Sequence, residues 1–401
     1  MKRRPEASDP TAGCPGFRFA GVAAGIKKNG NRDVALMVAD EPAVTSAVFT
    51  QNRVKAAPVR LSAQHLARRK RLRGVVINSG NANACTGAQG MRDAKDMAVR
   101  AAAATGASSA EMLVASTGVI GARLPMAAVR AGIAAAGAEL RPDGFGDFAE
   151  AILTTDKRAK LAALRTRIDG QPVTLLGCTK GAGMIMPNMA TTLTFVATSA
   201  SVSPAQLTAA TRRAVAPTFN AIAVDGDTST NDTLAVMASG QRGAATAAGA
   251  QAFTEALTEL LSNLAQQLMT DGEGVHHVVS IEVVRAASAA TAARIAQRVA
   301  VSPLVKTAIA GADPNWGRIL CAVGNAGVAI DPDRLALTIG SVPTVSRGAV
   351  RSTWDEAAAR AVMQTPRYRI VVDLGLGGHK ARYLACDLSH DYVSINASYR
   401  S

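Results

Sequence analysis

Aromatic side chains make up only 3% of this 401-residue sequence, which argues against a core of stacked rings. Its 35 glycines and many alanines point instead to close packing of small side chains. No apolar run approaches the ~20 residues that a membrane span requires. The start, Met1-Lys2-Arg3-Arg4-Pro5-Glu6, is basic but no apolar stretch follows it. That argues against a signal peptide and for a cytoplasmic enzyme. Cysteines number five (14, 85, 178, 321 and 386), scattered, with no Cys-x-x-Cys and no Cys/His ligand spacing. Neither a disulfide frame nor a zinc site is supported, and free thiols in a reducing compartment are expected.

What is present is a 48% hydrophobic chain, enough to bury a large core as one domain or two. The net charge of +14 raises nucleic acid as a partner. The densest basic patch, Arg68-Arg69-Lys70-Arg71-Leu72-Arg73, has no aromatic for base stacking. It falls where a helix ends before a strand at Gly74-Val75-Val76-Ile77, so a solvated helix end explains it. Attraction of small anionic substrates is a simpler use of the charge.

The most informative stretch is Lys180-Gly-Ala-Gly-Met-Ile-Met-Pro-Asn-Met-Ala-Thr-Thr-Leu-Thr, residues 180–194. A glycine-rich loop leads through Pro187-Asn188 into Thr191-Thr192-Leu193-Thr194-Phe195-Val196, a β-branched run that reads as a strand. A small residue, Ala190, thus precedes a threonine at a loop-to-strand junction. At such a junction a hydroxyl can attack its own preceding peptide, leaving the Thr as a new chain terminus. The freed α-amine, which ordinarily titrates near pH ~8, then serves as a base. A threonine at a strand start is also commonly plain structure, and the residues alone leave both readings open.

Other polar segments are spread along the chain. Residues 1–15 are polar and proline-rich, which predicts a flexible segment. Strands are expected at Val34–Val38 and Thr45–Thr50, joined by an Asp40-Glu41-Pro42 turn. Asn78-Ser-Gly-Asn-Ala-Asn-Ala-Cys-Thr-Gly87 favours tight turns, and Cys85 has no evident paired His to make it a nucleophile. Ser116-Thr117-Gly118 follows the strand Met112–Ala115, where backbone N–H groups can point into a cleft and hold an oxyanion; an ordinary strand-to-helix turn fits equally. Thr154 follows a short helix starting near Phe145. Phe219–Thr233 is rich in Asp, Thr and Ser but lacks the closing Glu of an EF-hand, so it reads as a polar loop lining a cleft. Phe253 to Met269 places Phe253, Leu257, Leu260, Leu261, Leu264 and Leu268 on one helical stripe. It ends at Gly272-Glu273-Gly274, followed by Val275-His276-His277, whose two histidines point to opposite faces of a strand and so do not share a metal.

These segments, in this order, resemble the ornithine acetyltransferase (glutamate N-acetyltransferase) family over about residues 16–401. The match rests on Lys180-Gly-Ala-Gly-Met…Pro-Asn-Met-Ala-Thr191, Ser116-Thr-Gly118, Phe219–Thr233, Gly311-Ala-Asp-Pro-Asn-Trp-Gly-Arg318 and Asp387–Ser401. The resemblance implies a layered α/β sandwich of the N-terminal-nucleophile-like type, self-cleaved between Ala190 and Thr191. The α chain would be 16–190 (after the flexible 1–15) and the β chain 191–401, assembled as a heterotetramer of two of each.

It also implies ping-pong transfer of acetyl from N-acetylornithine to glutamate in cyclic arginine biosynthesis, with acetyl-CoA as a further donor in some members. Thr191 would be the nucleophile and Thr117 and Gly118 the oxyanion hole. Thr154, Lys180, Glu273, Asn396 and Ser401 would contact substrate, Glu273 facing the side-chain amine of ornithine. No metal or organic cofactor is called for, and neither is nucleic acid or a membrane. One departure stands out. Where the family has a small residue, Thr and Lys after Gly-Glu-Gly, this chain has Val275-His276-His277. Three rivals stay open: an N-terminal-nucleophile amidohydrolase or aminopeptidase of related fold, a secondary-metabolic paralogue with a different acceptor, and a basic nucleic-acid-binding protein.

Overall fold

The computed structural model describes residues 6–186, 192–242 and 246–398. Ala190, Thr191 and Ser401 lie outside the described residues. The first sheet is built from β1 (Glu6–Ala7), β2 (Phe17–Val22), β3 (Val34–Phe49), β4 (Arg71–Asn81), β5 (Met112–Val119), β6 (Lys160–Ile168), β7 (Gln171–Lys180), β8 (Leu193–Ala200) and β9 (Thr233–Arg242). Its order is β1-β6-β7-β8-β9-β3-β4-β5, with β2 also paired to β3.

β3 is the spine. Its first half pairs with β2 and β4, and its second half with β9. Strand periodicity of two explains how one strand serves both halves. Ala35, Met37, Ala39, Ala43 and Ala47 face one inner core shared with β7 and β8. Val34, Leu36 and Val38 face outward onto Met97, Val129 and Ile133, which lie on the helices Gly87–Thr105 and Met126–Ala138. Val44 and Val48 face outward onto the helices Pro204–Val215 and Ala247–Thr270. The sheet therefore folds over a shared inner core as a sandwich, open at its β1 and β5 ends, with helices packed on its outer faces. No turn separates the two halves of β3. Asp40 and Glu41 sit exposed where the β3–β4 register shifts, and Arg73 Nη1 donates to the Asp40 carbonyl at 2.6 Å. Arg71 Nη1 reaches the Pro42 carbonyl at 3.3 Å. The basic patch thus begins a strand rather than only ending a helix, and two of its arginines bind the carbonyls that the irregularity frees.

Scarce aromatics did not prevent an aromatic cluster. Phe17, Phe19, Phe145, Phe148 and Phe195 meet in the inner core, Phe19 and Phe145 edge to face at 5.0 Å. Five rings distant in sequence converge because the helix Phe145–Ala151 is packed between the layers. Where composition suggests a flexible start, Glu6–Ala7 pairs antiparallel with β6 and Cys14 is buried in the same core.

A second sheet follows, β10 (Val278–Ala286), β11 (Ala336–Ile339), β12 (Val342–Ser346), β13 (Ala349–Val350), β14 (Arg367–Asp373) and β15 (His379–Cys386), in the order β13-β12-β11-β14-β10-β15. The helices Ala289–Ala300, Pro303–Ala310 and Trp316–Gly324 cover it. The helix Ala247–Thr270 carries the expected leucine stripe fully buried against β6 and β7, each leucine contributing about 1.5–3 kcal/mol by burial. No helix among the described residues is long and apolar enough to cross a membrane.

Candidate active site

β4 and β5 run parallel, so their ends lie side by side, with Ser79 opposite Thr117 and Gly80 opposite Gly118. Ser116-Thr117-Gly118 belongs to the end of β5 rather than to a turn after it. At Gly118 φ is +129°, and a Cβ there would stand 2.3 Å from the Gly80 carbonyl carbon. Only glycine fits this approach. The asparagines of the 78–87 segment act as braces. Ser116 Oγ donates to Asn78 Oδ1 at 2.6 Å, and Asn83 Nδ2 donates to the Gly90 carbonyl at 2.9 Å. Cys85 is exposed.

Across from these ends runs the loop Asn220–Asp232. Asn231 Nδ2 donates to the carbonyls of Ala82 (2.6 Å) and Ser116 (2.8 Å), tying this loop to both strands. Asp225 accepts from the backbone N–H of Met184 (2.6 Å) and Ile185 (2.8 Å), holding the glycine-rich loop after β7 in place. Burial pushes the Asp225 carboxyl up, against the pull of those N–H groups. Between these elements opens a cleft of about 200 Å³.

Thr117, Gly118, Thr154, Lys180, Glu273 and Asn396 all line it, although they come from five separate segments. Lys180 Nζ donates to Thr154 Oγ1 at 3.2 Å. Burial lowers the Lys180 ammonium, with the carboxylates of Asp156, Asp232 and Glu273 opposing that shift. Asn396 Nδ2 donates to Glu273 Oε2 at 3.0 Å. Glu273 is only 8% exposed and lies over Gly183, where a Cβ would meet its Oε2 at 2.3 Å. Thr192, next in sequence to Thr191, also lines the cleft and opens a buried hydroxyl chain, Thr192 to Thr194 at 2.8 Å and Thr194 to Thr179 at 2.7 Å. The expected nucleophile Thr191, the cleavage residue Ala190 and the terminal Ser401 lie outside the described residues.

Behind the cleft sits a pair that sequence reasoning missed. Lys160 is fully buried, with Nζ 2.5 Å from both Asp156 Oδ1 and Asp271 Oδ2. Burial works against the Asp156 charge, yet Lys160 and Lys180 outweigh it and hold the carboxyl below its usual range. Asp156 Oδ1 also accepts from the Gly181 N–H at 2.6 Å, so it fixes the backbone beside Lys180. The spacing Asp156…Lys160 was the available signal, though an i, i+4 pair more often marks a surface helix. Lys27, also missed, has its ammonium lowered to about 8 by burial, with Lys180 adding to the shift.

The C-terminal residues His390–Ser398 form a helix packed on Gly274, where a Cβ would lie 2.3 Å from the Tyr392 nitrogen. Tyr392 lines the cleft and its hydroxyl donates to Asp225 Oδ2 at 3.3 Å. His276 and His277 precede β10 rather than standing within a strand. Both backbone N–H groups donate to Asp387 Oδ1 at 3.0 Å. His276 Nε2 then lies 2.8 Å from Asp391 and His277 Nδ1 3.3 Å from Asp387, so the histidine pair braces the C-terminal segment.

A glycine-crowded strand end, a buried ammonium and a buried carboxylate around one small cleft define a site suited to acyl transfer involving an amino acid. The chain belongs to the ArgJ family, which matches residues 18–401. It is 47% identical over 390 residues to the "Arginine biosynthesis bifunctional protein ArgJ" of Geobacter sulfurreducens, covering 96% of this chain and 99% of that protein. The protein of the same name from Symbiobacterium thermophilum is 47% identical over 392 residues, covering 96% and 97%. Among solved structures, ornithine acetyltransferase from Mycobacterium tuberculosis in complex with ornithine is 42% identical, covering 47% of this chain and all of that one, with a TM-score of 0.43.

Proposed function

We propose that this protein is an acetyltransferase of arginine biosynthesis that moves acetyl from N-acetylornithine, and also from acetyl-CoA, to glutamate. The observation that carries the reading is the convergence of Thr117, Gly118, Thr154, Lys180, Glu273 and Asn396 on one cleft beside Thr192. Self-cleavage between Ala190 and Thr191 frees the nucleophile. The Thr191 hydroxyl attacks the acetyl carbonyl, aided by its own α-amine, while the Thr117–Gly118 segment receives the negative charge that forms on oxygen. Ornithine leaves, glutamate enters, and the acetyl group passes to its amine. Lys180 and Thr154 suit the α-carboxylate of either amino acid, and Glu273 suits the ornithine side-chain ammonium. The chains 16–190 and 191–401 pair as two of each, in the cytoplasm, with no metal or organic cofactor.

An intact mass spectrum before and after mixing with N-acetylornithine tests this. Two chains meeting at Ala190/Thr191, with one acetyl added to the later chain, are expected. A single uncut chain overturns the mechanism. Release of free acetate without a glutamate requirement would favour an amidohydrolase instead.

A further inference from the structure

Asp232 is 2% exposed, lines the cleft, and its Oδ2 has no hydrogen-bond partner among the described residues. Native proteins seldom leave a buried carboxylate oxygen unpaired, because the lost solvation is not recovered. It sits immediately before β9, where Thr233 N donates to the Thr192 carbonyl at 2.9 Å, so it borders the residue that follows the expected nucleophile. The hydroxyls of Ser229 and Thr50 face its carboxyl, and Lys180 on β7 is the cation nearest in effect. The other buried carboxylates around this end of the cleft already have work. Asp156 is bound to Lys160, Asp225 to the backbone of Met184 and Ile185, and Glu273 to Asn396. Of these four, Asp232 is the one with a fully buried carboxylate oxygen that lacks a hydrogen-bond partner among the described residues.

We propose that Asp232 is a further catalytic residue, the general base that takes a proton from the ammonium group of the acetyl acceptor. The inference rests on the acetyl-transfer reading above. The acceptor enters with its carboxylate toward Lys180 and its ammonium toward Oδ2. Asp232 takes one proton, leaving a neutral amine. The amine nitrogen bonds to the acetyl carbon and the ester C–O bond breaks. The nitrogen's second surplus proton goes to the released threonine oxygen, and Asp232 gives its own to water. Burial raises the Asp232 carboxyl well above its usual range, with Lys180 opposing.

The test uses the full-length processed protein and the isosteric Asp232→Asn variant. Acetyl-enzyme is formed with N-acetylornithine, then transfer is followed to glutamate and, separately, to hydroxylamine, an amine largely unprotonated at neutral pH. Transfer to glutamate should fall on the order of 10²-fold or more, while transfer to hydroxylamine should change little. A fall of equal size with both acceptors assigns Asp232 a structural role and overturns the proposal, as does an unchanged rate with glutamate. Where the variant does not process, the wild-type pH profiles decide. With the hydroxylamine rates expressed per unprotonated amine, transfer to glutamate should lose rate on the acid side along a limb that hydroxylamine lacks, and superimposed profiles overturn the proposal. Wild-type protein that forms no acetyl-enzyme refutes the underlying reading, a result separate from these ratios.

Discussion

Lys160 and Asp156 form a fully buried ion pair at 2.5 Å directly behind the cleft. The same ammonium bridges to Asp271 at the end of the long helix, so one cation joins the start of β6 to the helix and to the backbone beside Lys180.

Replacing Lys160 by Met leaves two buried carboxylates without their cation. A loss of about 3–5 kcal/mol is expected from breaking such a pair, measured by urea unfolding. The sign with pH follows from Asp156. Its folded-state pKa is lowered, so its contribution is present above the unfolded carboxylate value and is lost as pH falls through the folded one. Wild-type stability should therefore decline below about pH 4, and the Asp156→Asn variant should show a shallower decline.

Gly118→Ala tests the crowded strand end. A methyl would meet the Gly80 backbone at 2.3 Å, where φ of +129° already excludes a side chain. If this segment holds the oxyanion, kcat should drop about 10²–10³-fold, as when one such donor is lost. The Km for N-acetylornithine should move little. Steady-state kinetics on correctly processed protein reads both.

Asn231→Ala removes three side-chain hydrogen bonds at once, the one accepted from the Thr230 hydroxyl included, and leaves the Ala82 and Ser116 carbonyls without this donor. Each orphaned group costs about 1–3 kcal/mol, so a lower melting temperature and slower transfer should appear together.

Glu273→Gln keeps the shape but removes the charge that suits a side-chain ammonium. The Km for N-acetylornithine should rise about tenfold or more, equivalent to the ~1.5–3 kcal/mol of a charged hydrogen bond. The Km for glutamate should change less, and a uniform rise for both substrates would count against this role.

The leucine stripe of Ala247–Thr270 was legible because a single helix face repeats every three to four residues. β3 was not, because Asp40-Glu41-Pro42 has turn chemistry, and only Arg71 and Arg73 from the next strand make the irregularity tolerable. The phenylalanine cluster was invisible because its members are up to 178 positions apart (Phe17 to Phe195), and no local period joins them. The cleft residues Thr154, Lys180 and Glu273 were found through family likeness and not through spacing. Asp232 sits among two other aspartates of the same loop that look identical in sequence. What separates it is burial without a partner, which is a property of the folded surroundings.

The strand order has a consequence for a chain cut between residues 190 and 191. β8 and β9 of the later piece are inserted between β7 and β3 of the earlier one, with six paired positions along β7–β8 and six along β3–β9. Neither piece then owns the whole of the first sheet, although the second lies entirely in the later one. Cleavage would be mechanically silent, the fragments remaining interleaved like folded hands and copurifying as one particle. Once separated in denaturant, each fragment would face an exposed ladder with no partner in its own chain. Assembly would be encoded in the uncut precursor alone, making the cut a one-way step in the life of the molecule.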